Sequence, residues 1–282
     1  MTREEVCGVM TSVPSNDPAV RAKGRPDDAE SLDRHSLEGP HRYPTRVTGR
    51  GPTSAAVMLV IAYLGLTAIW AGLGFLVTGP LADTWVGAPD QYVSGWLVEQ
   101  RTPVLDHWSQ AGSMLAETLV KVIVTAVIAA VMLIAWRSWR EPFLICLAMI
   151  LEAAVFITVT WIVGRPRPGV AALDEVSVGT SFPSGHAAAA AAYAAIAIVV
   201  FERTRRRWIR VLTVVLAVAV PLAVGISRMY RGVHYLTDVA AGIVLGAACV
   251  AAVYVIVRRS FQRHGSDHGR FARTRQPKPD SR

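Results

Sequence analysis

The chain has 282 residues, of which 52% are hydrophobic and 18% are charged, and its formal net charge is +8. Soluble domains carry charge on about a quarter of their residues, so this composition excludes an ordinary soluble domain and predicts an integral membrane protein. The positive charge is divided among two polar tails and the short segments between apolar runs, and this distribution argues against a nucleic-acid partner. The three cysteines, Cys7, Cys146 and Cys249, do not indicate a disulfide framework.

Two polar tails flank the apolar part of the chain. Residues 1–52 are rich in Pro, Asp, Arg and Ser and lack the apolar core of a signal peptide, so they are predicted to be a disordered cytoplasmic tail. Residues 259–282 have the same character and are predicted to be a disordered basic tail. The segment between them, 53–258, is predicted to form one membrane domain without internal repeats.

Six apolar windows approach or reach the length of about 20 residues that a membrane-spanning helix needs. They are 54–77, 115–136, 143–163, 186–201, 208–226 and 239–257. The fourth window is short and almost entirely alanine, a composition that favours close helix packing over contact with lipid. The predicted fold is therefore all-α, a bundle of six transmembrane helices.

The segments between the windows differ in charge, which predicts the orientation of the chain. Of the 29 Lys and Arg residues, 23 lie in or immediately beside the two tails and the turns at 137–142 and 202–207. The opposite segments, 78–114, 164–185 and 227–238, hold five. The positive-inside rule then predicts that both termini are cytoplasmic. The Ala, Val and Arg bias and the missing signal peptide predict a bacterial inner membrane.

The long outer segment 78–114 contains Trp85, Trp96 and Trp108 among charged residues. Two interpretations stay open. The segment could form an amphipathic helix that lies in the membrane interface. It could equally be a capping loop, because Gly and Pro interrupt its helical periodicity.

A short polar string, Pro183-Ser184-Gly185-His186, precedes the alanine-rich window on the predicted outer side. Ser184 is a natural helix N-cap, and the backbone N–H groups at such a helix end attract anions, phosphate in particular. His186 would lie in the first turn, beside a bound anion. Taken alone, the string is equally typical of an ordinary helix start with an interfacial histidine.

A second polar string runs from Ser227-Arg228 through His234 to Asp238, at the start of the sixth window. His234 and Asp238 are four residues apart, so the carboxylate could accept the second N–H of the imidazole. That contact would fix the tautomer and leave the other ring nitrogen as a nucleophile or base. Arg228 adds a planar, charged donor for phosphate oxygens. A simple helix cap is the alternative, and the spacing favours the functional interpretation.

A third string, Arg165-Pro166-Arg167-Pro168, ends the third window on the same predicted side. Arginine beside proline often only terminates a helix at the interface, so this string is weak evidence alone. Together with the other two strings it predicts that Arg165 and Arg167 add cations to one phosphate-binding pocket.

In this order and on one membrane face, the three strings resemble the motifs of the type-2 phosphatidic acid phosphatase superfamily. That superfamily includes lipid phosphate phosphatases and the vanadium haloperoxidases. Two of its motifs match at every fixed position: Pro-Ser-Gly-His at 183–186, and Ser-Arg, five residues, His, three residues, Asp at 227–238. The resemblance covers roughly 54–257, and the six apolar windows exclude a soluble haloperoxidase.

The first family motif, a Lys separated from Arg-Pro by six residues, is incomplete in this chain. Alignment on Arg167-Pro168 puts Thr160 at the Lys position, and alignment on Arg165-Pro166 puts Thr158 there. Neither threonine supplies a cation. The loss of one phosphate-stabilising donor without replacement would lower the rate by about a hundred- to a thousandfold.

Two residues could replace the missing cation. Arg165 lies in the same turn as the expected Arg-Pro. Lys121 of the second window is the other candidate. For that lysine, however, the favoured interpretation is an ion pair with Glu117, four residues earlier in the chain. Glu152 of the third window could join this pair.

The resemblance implies a role for each matched residue. His234 would attack phosphorus and form a phosphohistidine while Asp238 holds its ring, and His186 would protonate the leaving oxygen and then activate water. Four groups would hold the phosphoryl oxygens: Arg165, Arg167, Arg228 and the Ser184–Gly185 turn. No metal or other cofactor is expected, because fixed cations and helix N–H groups would supply the electrostatic stabilisation and the sequence shows no metal-ligand spacing.

Three hypotheses about function follow. The first is a membrane phosphatase that hydrolyses a lipid monophosphate or diphosphate. The second is a transferase that passes the phosphoryl or phospholipid head group to an acceptor other than water. The third is a catalytically impaired lipid-phosphate-binding protein, which the missing Lys supports and the intact His186, His234 and Asp238 oppose. A channel or transporter is disfavoured because the ionisable groups gather at one membrane face.

Overall fold

The computed structural model describes residues 52–114, 117–174 and 179–273, with side chains described between 55 and 260. These ranges contain helices and no β-strand, which agrees with the predicted all-α fold. The helices are α1 (Pro52–Thr78), α2 (Ala88–Glu99), α3 (Pro103–Met114), α4 (Thr118–Trp136), α5 (Arg140–Val163), α6 (Gly185–Ala192), α7 (Ala194–Arg203), α8 (Arg207–Tyr230) and α9 (Leu236–Arg273).

Six helical segments of the described ranges are long and apolar enough to cross a membrane, so the six-span prediction is confirmed. They are Ala55–Thr78, Thr118–Trp136, Arg140–Val163, Gly185–Arg203, Arg207–Tyr230 and Leu236–Ser260. Each overlaps one predicted window. The fourth span consists of two helices, α6 and α7, which meet at Tyr193. The chain is therefore a multi-pass membrane protein.

The alanine-rich helix α6 packs directly against α9. Ala187 through Ala192 are all buried. On the facing helix, a Cβ at Gly242 would collide with the carbonyl oxygen of Ser184, and a Cβ at Gly246 would collide with that of Ala188. Two helix backbones can approach this closely only where the residues between them are small. This contact holds the beginnings of α6 and α9 in a fixed relation, and both polar strings lie at those beginnings.

The segment between α1 and α4 forms two short helices, so it is neither one interfacial helix nor an irregular loop. Proline opens both α2 and α3, because its missing N–H costs nothing in the first helical turn. The helix α2 packs against α8 and α9, and α3 packs against α8. Asp90, Ser94 and Ser109 are buried on the packed faces, whereas Trp96 and Trp108 are exposed.

The two predicted tails fall largely outside the described residues. Residues 1–51 and 274–282 belong to that part of the chain. The helix α9, however, continues to Arg273, past the predicted start of the disordered C-terminal tail at 259. No proline occurs between Pro221 and Pro277, so nothing in the sequence forces the helix to end at the membrane surface.

Candidate active site

Four helix ends meet at one end of the bundle and bring the three polar strings together. These are the end of α5, the start of α6, the end of α8 and the start of α9. Two backbone contacts tie these ends to each other: the N–H of Ser184 donates to the carbonyl of Asp238 at 3.0 Å, and the N–H of Ser181 donates to that of Arg165 at 2.8 Å. The sequence-predicted residues thus come from four helix ends and occupy one region.

His234 lies in the turn between α8 and α9 and is 5% exposed. Its Nδ1 is 2.8 Å from the carbonyl oxygen of Ser181. A carbonyl oxygen can only accept, so this contact requires the proton on Nδ1. The other ring nitrogen, Nε2, then carries a lone pair. The backbone therefore fixes the tautomer that a nucleophilic histidine needs.

Asp238 has a different position from the one that the spacing predicted. Its Oδ2 is 3.9 Å from Nδ1 of His234, beyond hydrogen-bonding distance. The same oxygen instead accepts the backbone N–H of Tyr235 at 2.9 Å, as the acid three residues into a helix does in a capping box. The carboxylate thus caps α9 and lies near the imidazole as a charge, while Ser181 orients the ring.

Arg165 lies between two buried carboxylates, although the sequence predicted that it would hold phosphate. Its Nη1 donates to Asp238 Oδ1 at 2.5 Å, and its Nη2 donates to Asp90 Oδ2 at 2.8 Å. Its guanidinium also stacks on the ring of Tyr235, 4.3 Å from the ring centroid. Burial alone would lower the pKa of Arg165, but Asp238 and Asp90 raise it above its ordinary value. Because its two outer nitrogens are already used, Arg165 is suited to a structural role.

Asp90 of α2 is a member of this cluster that the sequence did not reveal. It is 1% exposed, and its carboxylate accepts from the backbone N–H of Thr237 at 2.9 Å as well as from Arg165. These contacts join α2 to the start of α9, next to His234. The only signal in the sequence was an acidic residue in the first turn of a segment that also contains aromatic residues.

The string at the start of α6 forms the helix end that the sequence predicted. Ser184 is the N-cap, and its side chain accepts from the N–H of Ala187. A Cβ at Gly185 would lie 2.6 Å from Cζ of Phe156, so only glycine fits there without displacing that ring. The N–H groups of Gly185 and His186 belong to the first turn, where a helix provides no acceptor for them. This end can therefore receive an anion.

Arg228 and Arg231, at the end of α8, share one carboxylate. Nη1 of Arg228 donates to Asp174 Oδ2 at 2.7 Å and to Ser113 Oγ at 2.6 Å. Nε of Arg231 donates to Asp174 Oδ1 at 2.6 Å. Among the described residues, no acceptor lies against the buried Nε of Arg228. An N–H that is hidden from solvent and lacks a protein partner is suited to a bound anion.

Arg167 extends the cationic region toward His234. Its Nη1 donates to the carbonyl of Val233, the residue before His234, at 2.8 Å. Burial lowers its pKa from the ordinary value, and the charges of Asp238 and Asp174 oppose that effect. Of the arginines that were predicted to bind phosphate, Arg167 and Arg228 lie close enough to His234 for their charges to act on it, whereas Arg165 is paired with Asp90 and Asp238.

The environment of His234 keeps its imidazole neutral. Burial lowers its pKa well below the ordinary value, and the charges of Arg228 and Arg167 lower it further. For Asp174, burial alone would raise the pKa, but hydrogen bonds and charges from Arg231 and Arg228 hold it below the usual value. At neutral pH the site therefore contains a neutral histidine and an ionised aspartate.

If His234 attacks a phosphate, as the motif resemblance implies, the acidic limb of the pH profile of kcat/KM should lie below pH 6.5, because the attacking imidazole must be unprotonated and its pKa is lowered in the folded protein. An Arg228→Gln variant removes the charge that lowers this pKa most after burial, so the protonated form becomes more favourable and the limb should move to higher pH. Both profiles use the same substrate, so ionisation of its phosphate cancels in the comparison. A limb that stays in place would contradict the influence of Arg228 on His234.

The two threonines at the incomplete motif make only neutral contacts. Thr160 is buried and its Oγ1 donates to the carbonyl of Phe182 at 3.5 Å. Thr158 is hydrogen-bonded to Tyr63 at 2.8 Å. Lys121 pairs with Glu152, its Nζ lying 3.5 Å from Oε2, and not with Glu117 as expected. The reason is that α4 and α5 pack side by side, which brings Lys121 to a fully buried carboxylate.

Comparison with known proteins found a similar family and two similar structures. The family model for the PAP2 superfamily matches residues 141–262, a range that includes all three polar strings. Over this range the chain is similar to the PAP2 superfamily, that is, to the type-2 phosphatidic acid phosphatases. Asp90 and Lys121 lie outside the matched range.

Two solved structures are similar to the chain. The chain is similar to the transmembrane PAP2 type phosphatidylglycerolphosphate phosphatase from Bacillus subtilis, with a TM-score of 0.59 and 26% identity over 72% of this chain and 96% of that one. It is also similar to LpxE from Aquifex aeolicus, with a TM-score of 0.46 and 23% identity over 58% of this chain and 94% of that one. A search of curated proteins gave no match.

Proposed function

We propose that the protein is a membrane phosphatase that hydrolyses a lipid phosphate ester through a phosphohistidine on His234. The main support is the combination of two groups. The tautomer of His234 is fixed by the Ser181 carbonyl at 2.8 Å, and the buried Nε of Arg228 has no partner among the described residues. A neutral nucleophile beside an unsatisfied cationic donor matches a phosphate that is held and attacked. The similar Bacillus subtilis protein is a phosphatidylglycerolphosphate phosphatase, an enzyme that acts on a lipid phosphate, which supports the same substrate class here.

The first half of the reaction forms the covalent intermediate. Nε2 of His234 attacks phosphorus, an N–P bond forms, and the bond from phosphorus to the lipid oxygen breaks. His186, in the first turn of α6, gives its proton to the leaving oxygen. Arg228, Arg167 and the N–H groups at the start of α6 stabilise the charge on the phosphoryl oxygens in the transition state.

The second half releases phosphate. His186, now neutral, takes a proton from a water molecule as the water oxygen attacks phosphorus. The N–P bond breaks, inorganic phosphate leaves, and both histidines return to their starting states. In this scheme guanidinium groups and helix N–H groups provide the electrostatic stabilisation that magnesium ions supply in many other phosphoryl-transfer enzymes.

The proposed placement of the site is the outer face of a bacterial inner membrane. The loops that carry the site hold five of the 29 Lys and Arg residues, and the side with both termini holds most of the others. The substrate would therefore be a lipid phosphate of the outer leaflet.

We expect the purified full-length chain in detergent micelles to release inorganic phosphate from at least one long-chain lipid phosphate. The panel contains phosphatidic acid, phosphatidylglycerophosphate, a polyprenyl phosphate, a polyprenyl diphosphate and a soluble phosphate ester, each with and without EDTA. Release that EDTA leaves unchanged is the expected result. Folded protein that releases no phosphate from any member, or that needs added metal, would contradict the proposal. Lipid consumption without free phosphate would instead indicate a transferase.

A further inference from the structure

Asp174 places a fixed negative charge inside the cationic end of the site. Its carboxylate bridges Arg228 at 2.7 Å and Arg231 at 2.6 Å, as described above. Both arginines are nearly fully buried, at 5% and 6% exposure. Two buried guanidinium groups at neighbouring positions on one helix turn need a counter-charge, and Asp174 supplies it.

The backbone next to Asp174 is anchored on the same arginine. The N–H of Leu173 donates to the carbonyl of Arg231 at 2.9 Å, and Nη2 of Arg231 donates to the carbonyl of Leu173 at 3.3 Å. Nη1 of Arg101 holds the carbonyl of Ala171 at 2.7 Å. These three contacts fix the position of the carboxylate relative to Arg228.

The two arginines therefore differ in what they can offer a substrate. Arg228 keeps a buried Nε that has no partner in the described part of the chain, and such a donor is suited to one phosphoryl group. Arg231 directs Nε and Nη2 at Asp174, and its Nη1 donates to Ser109 Oγ at 3.2 Å. A second phosphoryl group beside the first would need the second guanidinium and would meet the carboxylate instead.

We propose that Asp174 is a specificity-determining residue that restricts the site to esters of a single phosphate and disfavours diphosphates. A phosphate monoester carries about −1.5 to −2 charges at neutral pH, and a diphosphate carries more. The additional charge would lie close to an anion that is already paired, and such like-charge contacts are a common way to reject a competing ligand. This inference depends on the proposed phosphatase activity.

The test compares kcat/KM for a polyprenyl monophosphate and a polyprenyl diphosphate with the same chain length. We expect the wild-type enzyme to prefer the monophosphate. Asp174→Asn retains the shape of the side chain and removes its charge, so the preference should fall by about tenfold or more. Asp83→Asn, the same change at an exposed position of the outer segment, should leave the preference unchanged.

A second measurement does not depend on the stability of the variant. Inorganic phosphate should inhibit the wild-type enzyme at lower concentration than inorganic diphosphate. An active wild-type enzyme that prefers diphosphates, or equal losses for both substrates in Asp174→Asn, would overturn the role of Asp174 and leave the phosphatase intact. A wild-type enzyme that hydrolyses neither lipid would overturn the proposed function itself.

Discussion

Replacement of His234 by Asn is expected to lower phosphate release from a lipid phosphate by at least about 10⁴-fold, because the variant lacks the atom that attacks phosphorus. The amide of Asn can still donate to the carbonyl of Ser181, so the turn between α8 and α9 should keep its structure. The measurement is the initial rate of phosphate release by the purified variant. Its thermal unfolding temperature, recorded in the same detergent, shows whether the fold is retained.

His107 offers a matched control for this experiment. It is an exposed histidine on α3, in the segment between α1 and α4, and its ring packs edge-on against Trp108. His107→Asn should retain the wild-type rate. Retention of activity by His234→Asn would rule out the phosphohistidine mechanism, whatever the substrate.

The covalent intermediate gives a more direct readout of the same prediction. Wild-type enzyme quenched during turnover of a ³²P-labelled substrate should carry an acid-labile label, and His234→Asn should carry none. If His186 activates the water in the second step, its replacement by Asn should leave more label on the enzyme relative to turnover. Label that persists in His234→Asn would place the nucleophile elsewhere.

Replacement of Arg165 by Ala is expected to lower the free energy of unfolding by about 3 to 5 kcal/mol, which is the usual effect of removing one partner from a buried ion pair. Asp90 and Asp238 would keep their burial and lose the cation that joins them. The measurement is the unfolding temperature in detergent, with Arg259→Ala, which removes an exposed arginine, as the control. Activity should fall as well, because the start of α9 positions His234.

This prediction separates two roles for Arg165. If Arg165 has a structural role, Arg165→Ala lowers the unfolding temperature in the absence of any ligand. The double variant Asp90→Asn/Arg165→Ala should recover part of this loss, because one of the two buried carboxylates without a cation is removed. A phosphate-binding role would leave the unfolding temperature near that of the wild-type protein and raise KM. The second outcome would restore the role that the sequence alone suggested.

The contrast between Arg165 and Arg228 shows why sequence motifs place residues better than they assign roles. Both arginines lie in strings at helix ends, and both were predicted to hold phosphate. The guanidinium of Arg165 is used by Asp90, which is 75 residues away in the chain, and by Asp238. The Nε of Arg228 has no partner within residues 52–114, 117–174 and 179–273. Nothing local to either string distinguishes these two environments.

The pair His234 and Asp238 also shows that local spacing predicts proximity but not the hydrogen bonds that are formed. The four-residue spacing correctly predicted that both side chains would lie near each other. The hydrogen bond that fixes the ring comes instead from the Ser181 carbonyl, 53 residues away. Spacing along a helix could not reveal this contact, because His234 lies in the turn before α9 begins.

The sequence by itself determined the six spans, the all-α fold and the three strings that form the site. Each of these follows from local chemistry: a span must be apolar along its whole length, and polar groups concentrate where helices leave the membrane. Only the tertiary structure decided which charges are paired. It placed Asp90 against Arg165, and Asp174 against Arg228 and Arg231, because helix packing and loop anchoring bring together residues that are 54 to 75 positions apart.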